Sequence, residues 1–259
     1  MRKRIVITII CLLIIVAAVG SWTVLAKRAA TPVAQRNQAA ADNQTKAQDT
    51  PQDSFDKTAH SVTDPGSIWA IVNKQHPMNP VSYVPGNLQL PNVSQRLPGA
   101  AEMKMAAPAA TALEQLFGAA GQAGYKLQIS TAYRGYAFQK TLYDGYVANL
   151  GQAAADKQSA RPGYSEHQTG LAVDIRRSDD RCSLEACFGD LPEGKWLAEH
   201  AYEYGFLLRY PSDKEAVTGY MYEPWHFRYV GTDLSTHLHE KHITTLEEFF
   251  GVSGGTTYK

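Results

Sequence analysis

Large apolar residues fall in two separate parts of this chain, and the gap between them limits what can fold. Ile5 to Ala26 runs without a charge behind Arg2, Lys3 and Arg4, and Lys27 to about Pro65 is then dominated by Ala, Gln, Asn, Asp and Thr. A stretch so poor in large side chains cannot bury enough surface to offset the entropy lost on ordering, so 27–65 reads as a flexible linker. Apolar density resumes at Ser67-Ile68-Trp69-Ala70-Ile71-Val72 and persists to the C-terminus. The foldable part, 66–259, has the size of one ordinary domain, and we find no internal repeat that would divide it.

The run from Ile5 to Ala26 is long enough to cross a bilayer, which takes roughly 20 apolar residues. The basic cluster before it is expected to stay on the cytoplasmic side, which places the rest of the chain outside the membrane. Residues 1–26 therefore read as a signal-anchor or, with small residues at Ala17, Ala18, Gly20 and Ala26 as possible cleavage points, as a signal peptide. An extracytoplasmic compartment also lets Cys182 and Cys187 oxidise to a disulfide; zinc binding by this pair is disfavoured because the chain has no second cysteine pair. With 25 acidic and 25 basic residues the formal net charge is zero, which gives no electrostatic reason to expect nucleic acid as a partner.

From Ser67 onward the hydrophobic pattern is mixed, which indicates an α+β domain. Leu113, Leu116 and Phe117 sit at helical spacing within Ala107 to Gly124, and Tyr136 to Leu150, Lys195 to Tyr204 and Thr245 to Phe250 also read as helices. Leu127 to Ala132, Leu171 to Ile175 and Trp225 to Val230 have the character of strands.

Two of those strands carry polar residues that an apolar strand does not need. Ser165-Glu166-His167-Gln168-Thr169-Gly170-Leu171-Ala172-Val173-Asp174 places a histidine before a glycine turn and an aspartate inside the strand that follows. A carboxylate there requires a cationic partner to justify its burial. Glu223-Pro224-Trp225-His226 adds a second imidazole, with another carboxylate just before a proline-extended turn. His167, Asp174 and His226 make three metal ligands that leave a position for water, the layout of a catalytic rather than a closed structural site, with Glu223 free to act as base. Two imidazoles and a carboxylate suit zinc and also iron. His237, His239 and His242 do not compete, because helical residues two apart diverge.

The two segments together resemble the signature of the VanY-type D-alanyl-D-alanine carboxypeptidases, which share a zinc-site plan with lysostaphin-like peptidases and the hedgehog amino-terminal domain. The resemblance spans roughly Ser67 to Phe250 and implies a single domain with a central, mainly antiparallel sheet flanked by helices. It also implies Zn2+ on His167, Asp174 and His226, with Glu223 as general base. Ser130-Thr131-Ala132-Tyr133-Arg134 through Gln139 is similar to the family segment whose arginine faces the reacting carbonyl and the substrate's terminal carboxylate, the role implied for Arg134. A guanidinium suits both tasks, since it is always charged and donates in parallel pairs. Gln139 and Ser165 are further candidate substrate contacts. The implied activity is removal of the terminal D-alanine from peptidoglycan stem peptides, D,D- or L,D-specific, by a bacterial enzyme that is expected to be a monomer and either membrane-anchored or secreted to the wall. The alternatives are a peptidoglycan endopeptidase and a non-catalytic, zinc-stabilised wall-binding module.

Overall fold

The computed structural model describes residues 55–259. The expected signal-anchor or signal peptide, 1–26, lies outside the described residues, and among the described residues no helix is long and apolar enough to cross a membrane. Residues 55–65, the end of the stretch read as a linker, are among those described, and they contact the domain. The Phe55 ring lies tilted against Trp69 at 5.6 Å and edge-on to Phe249 at 5.5 Å, and Lys57 Nζ donates to the Phe249 carbonyl at 2.6 Å. Val62 packs against the apolar cluster to which Trp69 and Phe249 belong, and its carbonyl accepts from the Ile71 N–H at 2.9 Å, contacts that average composition conceals.

Two short strands, β1 (Leu88–Gln89) and β2 (Met105–Ala106), form an antiparallel pair. Helix α1 (Ala107–Gln122) follows, with proline in its first turn, where the missing N–H has no helical partner to lose. It buries Ala109, Ala110, Leu113, Leu116 and Ala120 along one side, the stripe expected of a helix laid on a core. Next come β3 (Leu127–Thr131), α2 (Tyr136–Leu150), α3 (Gln152–Gln158), β4 (Ala172–Arg177) and α4 (Pro192–His200). A 3-10 turn over Ala201–Tyr204 completes the region read as one helix from Lys195, and it stops at Gly205 in the left-handed conformation. The chain closes with β5 (Phe206–Leu208), α5 (Glu215–Thr218), β6 (His226–Tyr229), α6 (Thr232–Glu240) and α7 (Leu246–Phe250).

The larger sheet has the order β3-β4-β6-β5 with every neighbouring pair antiparallel, so this α+β architecture agrees with the expected fold class. Alternation along its strands separates two faces. Ile129, Val173, Ile175, Phe206 and Phe227 join Leu113 and Leu116 of α1 in one apolar cluster. Leu207 instead packs against a second cluster of Trp69, Ile71, Val230, Leu234, Leu238, Leu246 and Phe249, which unites the 69–71 segment with α6 and α7. Each such large side chain contributes about 1.5–3 kcal/mol by leaving water.

Candidate metal centre

The register of β4 against β6 pairs Asp174 with His226. Residues opposed across an antiparallel pair point to the same face, so the aspartate in one strand meets the imidazole in the other without any loop having to bring them together. Thr131 of β3 also stands against Asp174, shifted there by a bulge after Ile129. His167 arrives from a 3-10 turn, Glu166–Thr169, whose four residues are all buried. Gln168 Nε2 ties that turn to the carbonyls of Val81 (2.7 Å) and Tyr83 (3.1 Å). Gly170 ends the turn with φ +71°; a Cβ there would stand 2.8 Å from Leu88 Cδ2 and 3.1 Å from the Ala106 nitrogen, so glycine is required both for conformation and for space.

His167 Nε2 lies 3.3 Å and His226 Nδ1 3.1 Å from Asp174 Oδ1, with the two rings nearly perpendicular. His167 Nδ1 donates to the Ala132 carbonyl at 2.6 Å, since a carbonyl can only accept. Burial and the nearby Arg134 charge lower this imidazole to about 4, so it is neutral and its Nε2 presents a lone pair. That lone pair faces a carboxylate oxygen and has no hydrogen-bond partner. Two buried acceptors held in this way repel one another unless a cation sits between them, and a neutral imidazole is the form a metal binds. Although burial works against its charge, Asp174 is held well below the ordinary carboxylate range, and the neighbour able to carry the balancing positive charge is His226, 3.1 Å away. Burial also opposes charge on His226, yet its contacts with Asp174 and Glu166 raise it to about 9, a measure of how strongly this pocket attracts positive charge. His167, Asp174 and His226 therefore fit a metal ion, their donor atoms all lying within 4.8 Å of one another. Cys182, Glu185 and Cys187 form a second such group, but the two sulfurs are joined in a disulfide and are not free thiolates.

Glu223 stands beside the three, its Oε2 3.8 Å from His226 Nδ1. Burial is the main cause that pushes its carboxyl up to about 7, reinforced by the negative charges of Asp174 and Glu166, which suits a group that must take and return a proton near neutrality. Arg134 Nη1 approaches Asp174 Oδ2 at 3.4 Å and its Nε donates to Gln139 Oε1 at 3.0 Å. Gln139 was expected in the cleft; instead it is wholly buried, and its amide donates to Ser159 Oγ and the Ala160 carbonyl. Its side chain is occupied in holding Arg134, because α2 turns that face toward the loop at 159–160. Ser165 does line the cleft, which has a volume of about 460 Å³. Exposed Phe138, Leu184 and Met221 form parts of its rim. His237 and His239 turn to different partners, Phe55 and Tyr202, as their helical spacing requires.

Glu166 was not singled out from the sequence. It is fully buried with Arg209 and Arg228, and it approaches His226 Nε2 at 3.5 Å. A signal did exist for Arg228: in an alternating strand it shares a face with His226, two positions away.

Residues 102–232 match the family model for VanY, D-alanyl-D-alanine carboxypeptidase. YodJ of Bacillus subtilis strain 168, a carboxypeptidase candidate, is 40% identical over 191 residues, covering 73% of this chain and 69% of its own. The LdcB LD-carboxypeptidase structure aligns with a TM-score of 0.68 at 41% identity, over 73% of this chain and 89% of that one. A VanY D,D-pentapeptidase variant from a VanB-type resistance cassette, solved with Zn(II), aligns with a TM-score of 0.57 at 32% identity, over 69% and 96%. These similarities define the class of protein, a peptidase related to carboxypeptidases. The chain belongs to the VanY family of D-alanyl-D-alanine carboxypeptidases.

Proposed function

We propose that this protein is a zinc-dependent carboxypeptidase that removes the terminal D-alanine from peptidoglycan stem peptides outside the cytoplasm. The observation that carries this reading is the convergence of His167 Nε2, Asp174 Oδ1 and His226 Nδ1 beneath an open cleft, with Glu223 alongside. Zinc held by those three residues would supply Lewis acidity, which polarises the scissile carbonyl and acidifies a water. Glu223 takes the proton of the attacking water and delivers it to the departing D-alanine amine. Arg134, steadied by Gln139, binds the terminal carboxylate of the substrate and the negative charge that develops at the carbonyl. The uncharged run at 5–26 and the linker after it suit a domain tethered to the outer face of a bacterial membrane, within reach of the wall.

Similarity to LdcB favours L,D-cleavage of a tetrapeptide stem, whereas similarity to VanY favours D,D-cleavage of a pentapeptide. Mass spectrometry of defined tetra- and pentapeptide stems incubated with the full chain separates the two, and a crosslinked substrate tests for endopeptidase action. Glu223→Gln is expected to retain zinc while its turnover falls by about 10²–10⁴-fold, the range typical of lost acid–base catalysis. Hydrolysis at the native rate in that variant would reject Glu223 as the base. Wall binding by a native protein that cleaves none of these substrates would favour a binding module instead.

A further inference from the structure

We propose that Glu166 is the positioning carboxylate of the metal centre: it accepts the Nε2–H of His226 and thereby turns Nδ1 of that ring toward the cation. The inference rests on the metal reading above and adds the reason why His226 presents one particular nitrogen. Glu166 Oε1 accepts from Arg209 Nε at 2.8 Å and from Arg228 Nη1 at 2.9 Å. Its other oxygen, Oε2, stands 3.5 Å from His226 Nε2, and neither of these two facing buried atoms has a hydrogen-bond partner elsewhere or a closed bond to the other. A buried N–H must find an acceptor, and Glu166 Oε2 is the group placed to receive this one. A carboxylate behind an imidazole fixes the ring's orientation and strengthens it as a ligand.

Glu166 is itself held from behind. Arg209 reaches past it to make a paired contact with Glu247, at 2.9 and 2.6 Å, and Glu247 accepts from Asn73 Nδ2 at 2.9 Å. Arg228 spends Nη2 on the Ala70 carbonyl at 2.7 Å. Two carboxylates and two guanidinium groups balance in charge and are shut off from water, an arrangement whose geometry cannot drift without breaking several contacts. Because Glu166 immediately precedes His167, a single turn supplies one metal ligand directly and supports a second from behind. The position of Glu247 in α7 extends this support to the C-terminal helix.

The test compares full-length native protein with Glu166→Gln and Glu247→Gln, measuring zinc affinity by competition with a chromogenic chelator and the melting of each zinc-free form. Glu166→Gln is expected to weaken zinc binding by about 10–100-fold. Glu247→Gln disturbs the same arginine but touches no imidazole, and it is expected to leave zinc affinity near the native value. Equal losses in the two variants, or undiminished affinity in a folded Glu166→Gln, would overturn the proposal. Nitrogen-15 histidine NMR of the zinc-loaded native protein provides a check that needs no variant. A proton on His226 Nε2 with zinc on Nδ1 is expected, and the opposite arrangement overturns the assignment. Failure of the native chain to bind zinc at all would remove the metal reading together with this one, whereas tight binding that does not depend on Glu166 removes this one alone.

Discussion

Arg134 enters the cleft with its guanidinium held on two sides, by Gln139 at Nε and by Asp174 at Nη1. Its backbone N–H also donates to the His167 carbonyl at 3.2 Å, so the arginine and the metal-facing turn are positioned together. A lysine could keep the charge but not the planar pair of donors. Arg134→Lys is therefore expected to lower kcat by about 10²–10³-fold, the scale seen when one donor to a developing oxyanion is lost. Zinc content should remain native in that variant, since Arg134 supplies no ligand. Steady-state kinetics with metal analysis checks both halves. Gln139→Ala is expected to move the same parameters in the same direction by less, because the arginine then keeps its charge and its contact with Asp174 and loses only the hold at Nε.

Between β4 and α4 the chain makes a loop of unusual backbone, with Asp180, Cys182 and Leu184 all at positive φ. For residues other than glycine this conformation costs about 1–2 kcal/mol each, so the loop must be constrained from elsewhere. The disulfide between Cys182 and Cys187 is one such constraint, and Leu184 inside it reaches the rim of the cleft. Replacing both cysteines by serine is expected to lower the melting temperature, at the lower end of the usual disulfide contribution of about 2–4 kcal/mol because the loop is short. KM should rise about fivefold, the equivalent of about 1 kcal/mol of apolar contact, with kcat little changed. A parallel fall in kcat would mean that the loop supports the catalytic residues themselves. Elsewhere in the cleft lining, α3 is tied to the 159–164 loop through Asp156, which accepts from Arg161 Nε at 2.9 Å and Nη2 at 2.8 Å. The hydrogen bonds from Arg161 lower the Asp156 carboxyl below its ordinary value. A depressed folded-state value contributes stability above the unfolded value of about 3.9 and loses it as pH falls through the folded one. The difference in melting temperature between native protein and Asp156→Asn should accordingly be largest near neutral pH and shrink below about pH 4. A difference constant across that range would show that the ion pair is not its source.

At the scale of the whole molecule, the metal-facing residues and the buried charges behind them lie on one side of the sheet, opposite the α1 core. Ligand binding to a folded site raises stability by mass action, by about 2.7 kcal/mol at a hundredfold excess over Kd. For a domain of this size each kcal/mol moves the melting temperature by about 2–4 °C, so zinc at that excess should raise it by roughly 5–10 °C over a chelator-treated sample. Scanning calorimetry of the full chain measures the shift, and overlapping curves would count against a bound metal. Removal of the metal should leave both apolar clusters in place, because neither contains His167, Asp174 or His226.

Much of this organisation could be read from the chain alone. Helix α2 occupies the predicted range, and the strands around Asp174 and His226 lie within a residue or two of expectation, because their apolar spacing is a local property. A buried aspartate in an apolar strand announced a need for positive charge before any partner was visible. Other features depended on how distant segments meet. Register alone placed Asp174 opposite His226, packing alone withdrew Gln139 from the cleft, and only tertiary contacts of Phe55 and Lys57 showed that part of the polar stretch docks on the domain. Glu166, Arg209, Arg228 and Glu247 are each ordinary surface residue types until the fold buries all of them together. Periodicity shows which way a side chain faces along its own element, but the cost of burying a charge is decided by its neighbours, and those are chosen only when the chain closes on itself.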